Sequence, residues 1–214
     1  MITLVWHHAG LLEFGIIRRT KLSSMGNLIL ASASPRRHAL LTAAGIAFTV
    51  VESGVPEIRH DHESANDYAL RMAEAKALSV TARFPAATVL AADTVVECTG
   101  EILEKPFDAG DARRMLRLLS GNTHTVVTAF ALASDRVIIE SAPITSRVTF
   151  RRLSSAEIEA YLATGDPFDK AGAYGIQGAA ANFIASVEGS RDNVMGLPVR
   201  EVLEALKRHR IDPR

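Results

Sequence analysis

The sequence predicts an α/β protein with a mixed central β-sheet flanked by helices, arranged as two lobes around a cleft. From Leu28 onward, short apolar runs alternate with segments whose apolar residues recur at helical spacing. No internal repeat, low-complexity tract or clean linker divides the 214 residues. With 48% hydrophobic and 22% charged residues, a chain of that length can bury one substantial core.

The elements follow in order. Residues 28–31 form a buried strand, 35–44 a helix closed by Gly45, and 48–51 a second strand. The segment 64–83 carries Tyr68, Met72, Ala75 and Leu78 at helical spacing and predicts a long amphipathic helix. Residues 88–97 are the strongest strand, and Thr99-Gly100 followed by Ile102-Leu103 predicts a hairpin. Asp108 caps a helix over 108–119. Residues 123–132 and 136–150 are extended and antiparallel, and Ser154-Ser155-Ala156-Glu157 is a capping box opening a helix over 154–163. A Gly-rich stretch at 165–178 precedes a strand at 182–187. The run from Asn193 to Pro198 predicts a strand, a turn and a helix start, structural in role, and a helix over 197–209 closes the chain.

Composition excludes several functions. Twenty-four Lys plus Arg balance twenty-four Asp plus Glu, so no overall field holds the protein on nucleic acid or an anionic membrane. Any anion must be gripped by a local cluster. Cys98 is the single cysteine and forms no internal disulfide, which fits a reducing compartment such as the cytoplasm. Residues 1–24 have neither the charge order of a signal peptide nor the roughly 20 apolar residues of a membrane span. They are expected to be an extension outside the domain, which runs over 25–214, with Met25 a candidate start.

Three segments carry chemistry. Ser32-Ala33-Ser34-Pro35-Arg36-Arg37 follows the first strand and opens the first helix, with Ser34 as N-cap and Pro35 at the first helical position. Two arginines in a first turn oppose the helix dipole, a cost that makes sense if an anion sits between them and the free amides. In Ala91-Ala92-Asp93-Thr94-Val95-Val96 a carboxylate interrupts a buried strand, which is expensive unless it is paired or on a metal. Lys76, Lys105 and Glu57 would not be singled out by local pattern alone, and His60 and His62 lack a third spaced metal ligand. In Asp169-Lys170-Ala171-Gly172-Ala173-Tyr174-Gly175-Ile176-Gln177-Gly178, three glycines within seven residues allow close backbone approach, and the Gln177 amide can read a planar base.

Together with Glu104-Lys105-Pro106 and Ser120-Gly121 near His124, these motifs in this order resemble the Maf family of nucleotide pyrophosphatases, relatives of the inosine triphosphate pyrophosphatases. The resemblance runs from Asn27 to about Arg208. It implies a cleft that takes a nucleoside triphosphate with Mg²⁺ or Mn²⁺, and often a homodimer. By carry-over Asp93 is the catalytic carboxylate and, with Glu57, faces the metal. Glu57, Lys76 and Lys105 are cleft residues, and Ser34 and Arg37 belong to the phosphate-binding turn. Arg36, Thr94 and Gln177 match positions that separate the branches, and Thr and Gln there imply preference for dTTP and UTP over 7-methyl-GTP.

A binding module that signals by occupancy is the competing reading. An intact Asp93 with both lysines argues against it, and no Gly-x-x-x-x-Gly-Lys-Ser/Thr loop supports a kinase-like enzyme. Deleting residues 1–24 is expected to leave turnover and melting temperature unchanged. An insoluble or inactive truncation would make the extension part of the fold.

Overall fold

A computed structural model describes residues 28–212. The expectations for residues 1–24, Met25 and Asn27 lie outside the described residues. One mixed sheet organises the chain in the order β2-β1-β3-β5-β6-β7, with β4 also paired to β3. β1 (Leu28–Leu30) is parallel to both β2 (Thr49–Val50) and β3 (Thr88–Cys98). β5 (Thr123–Ser134), β6 (Val137–Phe150) and β7 (Ile184–Glu188) continue the sheet antiparallel.

The interruption of one strand edge matters most. β5 runs along one edge of β3 from Val89 to Glu97. On the other edge β1 pairs only with Thr88–Leu90, and β4 (Glu101–Leu103) only with Val96–Cys98. The residues between, 91–95, present a free edge, and a cleft opens there. Because side chains alternate along a strand, Asp93 and Thr94 leave β3 on opposite faces.

α2 (Ala65–Arg83) covers the Asp93 face, packing Ala69, Met72, Ala73, Ala77 and Val80 against Val89, Ala91 and Val95. Its small side chains let the helix approach the sheet closely. On the other face α1 (Pro35–Ala43) and α6 (Val199–Arg208) enclose Leu90, Ala92, Phe130 and Leu132. Further along the same strands, α3 (Ala109–Leu119) and α4 (Ser155–Leu162) build a second lobe around Val96, Val126, Val148 and Phe150. The long strands thus run through both lobes, and the cleft lies where the lobes part.

The caps at Ser34, Asp108 and Ser154 act as the sequence predicts: Ser34 and Asp108 each accept a backbone N–H from the first turn of their helix, and Ser154 with Glu157 completes the capping box. Ser64 caps α2 in the same way. Two expectations are corrected. Asn193 lies not in a strand but in α5 (Arg191–Met195), which Ser190 caps and Gly196 ends at φ 109°. The strand expected from residue 182 starts at Ile184, because the chain from Gly178 to Phe183 winds into 3-10 turns.

The buried stripe of α2 also differs from the expected one. Leu78 is exposed, while Lys76 lies among Met72, Ala73, Ala77 and Val80 on the buried side. Gly172 adopts φ 69° and faces Val96 so closely that an added Cβ would stand 3.0 Å from a valine methyl. Gly172→Ala is therefore expected to cost about 1–3 kcal/mol through strain and overpacking. Urea denaturation measures this, and unchanged stability would contradict the packing described.

Candidate active site

The cleft encloses about 950 Å³, within the range of small-molecule sites. Its walls come from the β1–α1 turn, residues 52–57, the open edge of β3, the loop after β4, the Gly-rich segment and the end of α5. All the residues singled out in the sequence line it: Ser34, Arg36, Arg37, Glu57, Lys76, Asp93, Thr94, Lys105 and Gln177. They converge over separations of up to 143 residues, from Ser34 to Gln177.

Asp93 and Lys76 form the centre. Lys76 Nζ donates to Asp93 Oδ1 and to Glu57 Oε1, both at 2.6 Å. Both the lysine and the aspartate are buried. Lys105 Nζ donates to the other oxygen of Glu57 at 2.9 Å. Burial pushes the Asp93 carboxyl above the usual carboxylate range, and attraction to Lys76 and Arg37 does not cancel it. Burial also opposes ionisation of Glu57, but its bonds to Lys76 and Lys105 outweigh that and hold it at about 2. A depressed carboxylate stabilises the fold above its ordinary pKa of 4.5, and that share is lost as pH falls from there toward about 2.

On the opposite face Arg37 is held by neutral groups only. Its Nε donates to the Gly196 carbonyl at 2.7 Å, Nη1 to Ser32 Oγ at 3.2 Å and Nη2 to Thr94 Oγ1 at 3.0 Å. Every other cleft cation named here meets a carboxylate: Arg36 meets Asp169, Lys76 meets Asp93 and Glu57, and Lys105 meets Glu57. Lys170 is engaged by Asp166 and Asp169. Arg37 is thus the cleft cation with a charge no carboxylate touches. Burial lowers its pKa, yet a guanidinium stays protonated.

The Gly-rich segment is pinned from behind. Tyr174 Oη and His124 Nε2 lie 2.7 Å apart, and the two rings pack edge-on with each other and with Phe150. Burial keeps His124 neutral, lowering its pKa to about 4. Gln177 stands exposed on the wall in front, and its amide bonds to no other described residue.

Sequence reasoning missed Thr128, Asn193 and Gly196 as parts of the site, and it quoted Ser32 in the anion turn without giving it a role. Thr128 and Asn193 are fully buried polar residues behind Thr94, and only Gly196, a helix-ending glycine, left a local signal.

For a metal, Asp93 and Glu57 are the carboxylates at the centre of the cleft, whose lining also includes Glu104. Among the described residues no three His, Cys, Asp or Glu side chains gather closely enough to hold an ion alone. That donor set fits Mg²⁺ or Mn²⁺ arriving with a polyphosphate, since magnesium commonly takes one or two carboxylates plus phosphate oxygens and waters. It does not fit a resident structural metal.

The fold and this cleft define an α/β protein built to hold an anionic ligand beside a buried carboxylate. The chain belongs to the Maf family: the family described as "Maf-like protein" matches residues 27–209. A dTTP/UTP pyrophosphatase of Geotalea uraniireducens is 49% identical over 190 residues, 87% of this chain and 97% of its own. One from Salmonella typhimurium is 50% identical, covering 85% of this chain and 92% of that protein. The crystal structure of a nucleoside-triphosphatase, also named dITP/XTP pyrophosphatase, from Mycobacterium abscessus is 18% identical at TM-score 0.38. It covers 86% of this chain and 94% of its own, a likeness too remote for its site to be carried across.

Removing Lys76 would leave Asp93 buried without its cation. Lys76→Met is expected to cost about 3 kcal/mol, and Asp93→Asn in the same chain to recover more than half of it. Urea denaturation of the two single variants and the double variant measures the coupling. Simple additivity would contradict the pairing.

Proposed function

We propose that this protein is a cytoplasmic nucleoside triphosphate pyrophosphatase that hydrolyses dTTP and UTP to the monophosphate and pyrophosphate. One observation carries the reading: a buried carboxylate paired to Lys76 opens onto a cleft whose other face holds an arginine bonded only to neutral groups. The names of relatives at 49–50% identity support the substrate class. The family resemblance supports a homodimer. No helix among the described residues is long and apolar enough to cross a membrane.

The chain's own residues divide the work. Arg37 has five N–H donors and uses three on the protein, leaving one on each terminal nitrogen for phosphate oxygens. Lys76 and Lys105 can exchange a carboxylate oxygen for a phosphate oxygen and so stabilise the leaving pyrophosphate. The water oxygen bonds to phosphorus, the bond to the α–β bridging oxygen breaks, and the water proton passes to Asp93. Asp93 is placed for that transfer by its position on the open edge of β3, at the floor of the cleft. Asp93 and Glu57 would hold a divalent cation, which supplies charge neutralisation on the phosphates and polarises the P–O bond.

Gln177 faces the cleft with a free amide, which can donate to one carbonyl of a pyrimidine and accept from its imide N–H. A glutamate there could accept but not donate.

Two variants test the reading. Asp93→Asn is expected to lower pyrophosphate release by about 10² or more while the protein still folds; near wild-type turnover would remove Asp93 from catalysis. Gln177→Glu is expected to erode the preference for UTP over 7-methyl-GTP by roughly ten- to a hundredfold in kcat/KM. Equal selectivity in both proteins would take base reading away from Gln177, and a wild type preferring 7-methyl-GTP would overturn the substrate class.

A further inference from the structure

The polar residues behind Arg37 form a chain whose direction can be read atom by atom. Thr128 stands opposite Thr94 in the β3–β5 register, is fully buried and does not line the cleft. Its hydroxyl lies 2.8 Å from the backbone carbonyl of Asn193, a group that can only accept. The single Thr128 proton is therefore used there. Thr94 Oγ1 and Thr128 Oγ1 are 3.0 Å apart, so the proton in that contact must come from Thr94. Thr94 Oγ1 in turn accepts from Arg37 Nη2. The order is fixed from end to end: Arg37 donates to Thr94, Thr94 to Thr128, and Thr128 to Asn193.

The far end of this chain is anchored. Asn193 is fully buried, and its Nδ2 donates to the Val126 carbonyl at 3.2 Å and to Ser146 Oγ at 3.0 Å, tying α5 to β5 and β6. The same short helix reaches Arg37 a second time through the Gly196 carbonyl. A guanidinium held directly by the Gly196 carbonyl, and through Thr94 and Thr128 by the Asn193 carbonyl, has its orientation set before any ligand arrives, which preserves binding free energy otherwise lost to ordering.

We infer that Thr128 is a positioning residue, acting through Thr94 to aim the Arg37 guanidinium at the phosphates, and that Thr94 serves the arginine instead of reading the base. Thr94 has no proton left for a base carbonyl. One lone pair of its oxygen is taken by Arg37, so the influence of this position on nucleotide choice is assigned to the placement of Arg37, and an unchanged UTP-to-GTP ratio in Thr94→Val is the sign of it. The inference rests on the proposed function for the identity of the ligand, but the network itself does not depend on it.

The test uses the full chain with Thr94→Val, Thr128→Val, the double variant and Thr128→Ser. Two quantities are read: kcat/KM for UTP and for GTP by pyrophosphate release, and the affinity for inorganic triphosphate by calorimetry. Thr128→Val is expected to lower both by about tenfold, the scale of one lost hydrogen bond in such a network, with the UTP-to-GTP ratio unchanged. Thr128→Ser should stay near the wild type because it keeps the hydroxyl. The double variant should be no worse than Thr94→Val alone, since the two groups act in series. Wild-type affinity for inorganic triphosphate in Thr128→Val, a shifted UTP-to-GTP ratio in Thr94→Val, or additive losses would each overturn the inference. Should Thr128→Val fail to fold, Thr94→Val decides alone: weaker triphosphate binding at constant ratio supports the assignment, and the reverse sinks it. A wild type that hydrolyses no nucleotide would defeat the proposed function, while the inorganic triphosphate measurement would still judge this network.

Discussion

A carboxylate in the middle of a central strand has to be matched, and the match between Asp93 and Lys76 at 2.6 Å sets the conditions for the rest of the site. Neither group could be buried alone at tolerable cost. Lys76 can reach Asp93 because alanines on α2 bring that helix close to the sheet, and because β1 stops at Leu30 and leaves the edge of β3 open beside them. The same interruption that opens the cleft thus gives the buried charge of β3 its outlet.

The cleft is close to balanced in charge, and this affects how it can bind. Arg36, Lys76, Lys105 and Lys170 are each engaged by carboxylates in the free protein, so an incoming polyphosphate competes with Asp169, Glu57 and Asp93 for them. Arg37 needs no such exchange. Its neutral partners fix its direction without cancelling its charge, which makes it the natural first contact for an anion. In the proposed function, Glu57 and Asp93, once released by the lysines, would be free to meet a cation that travels with the phosphates.

Much of this was legible in the sequence, and what was not has physical reasons. A charge inside an apolar strand marked Asp93 directly, and the Ser-Pro-Arg-Arg turn marked the anion side. Lys76 carried the same kind of signal, since it falls among Met72, Ala73, Ala77 and Val80 on one helical stripe; weighting Ala75 and Leu78 instead rotates the stripe and hides it. Thr128 and Asn193 are ordinary polar residues until the β3–β5 register and α5 bring them together across 65 positions. No local periodicity encodes such a contact. α5 itself was misjudged because five residues are too few to show a period, although Ser190 before it and Gly196 after it mark both of its ends.

The central claim is that this cleft cuts a triphosphate at the α–β bridge. Phosphorus NMR of UTP incubated with the full-length protein and Mg²⁺ tests it by the identity of the products. The account predicts UMP and pyrophosphate in equal amounts, with no UDP at any time. Accumulation of UDP with inorganic phosphate would place the cut at the β–γ bridge and contradict the arrangement of Arg37, Lys76 and Asp93 proposed for the leaving pyrophosphate.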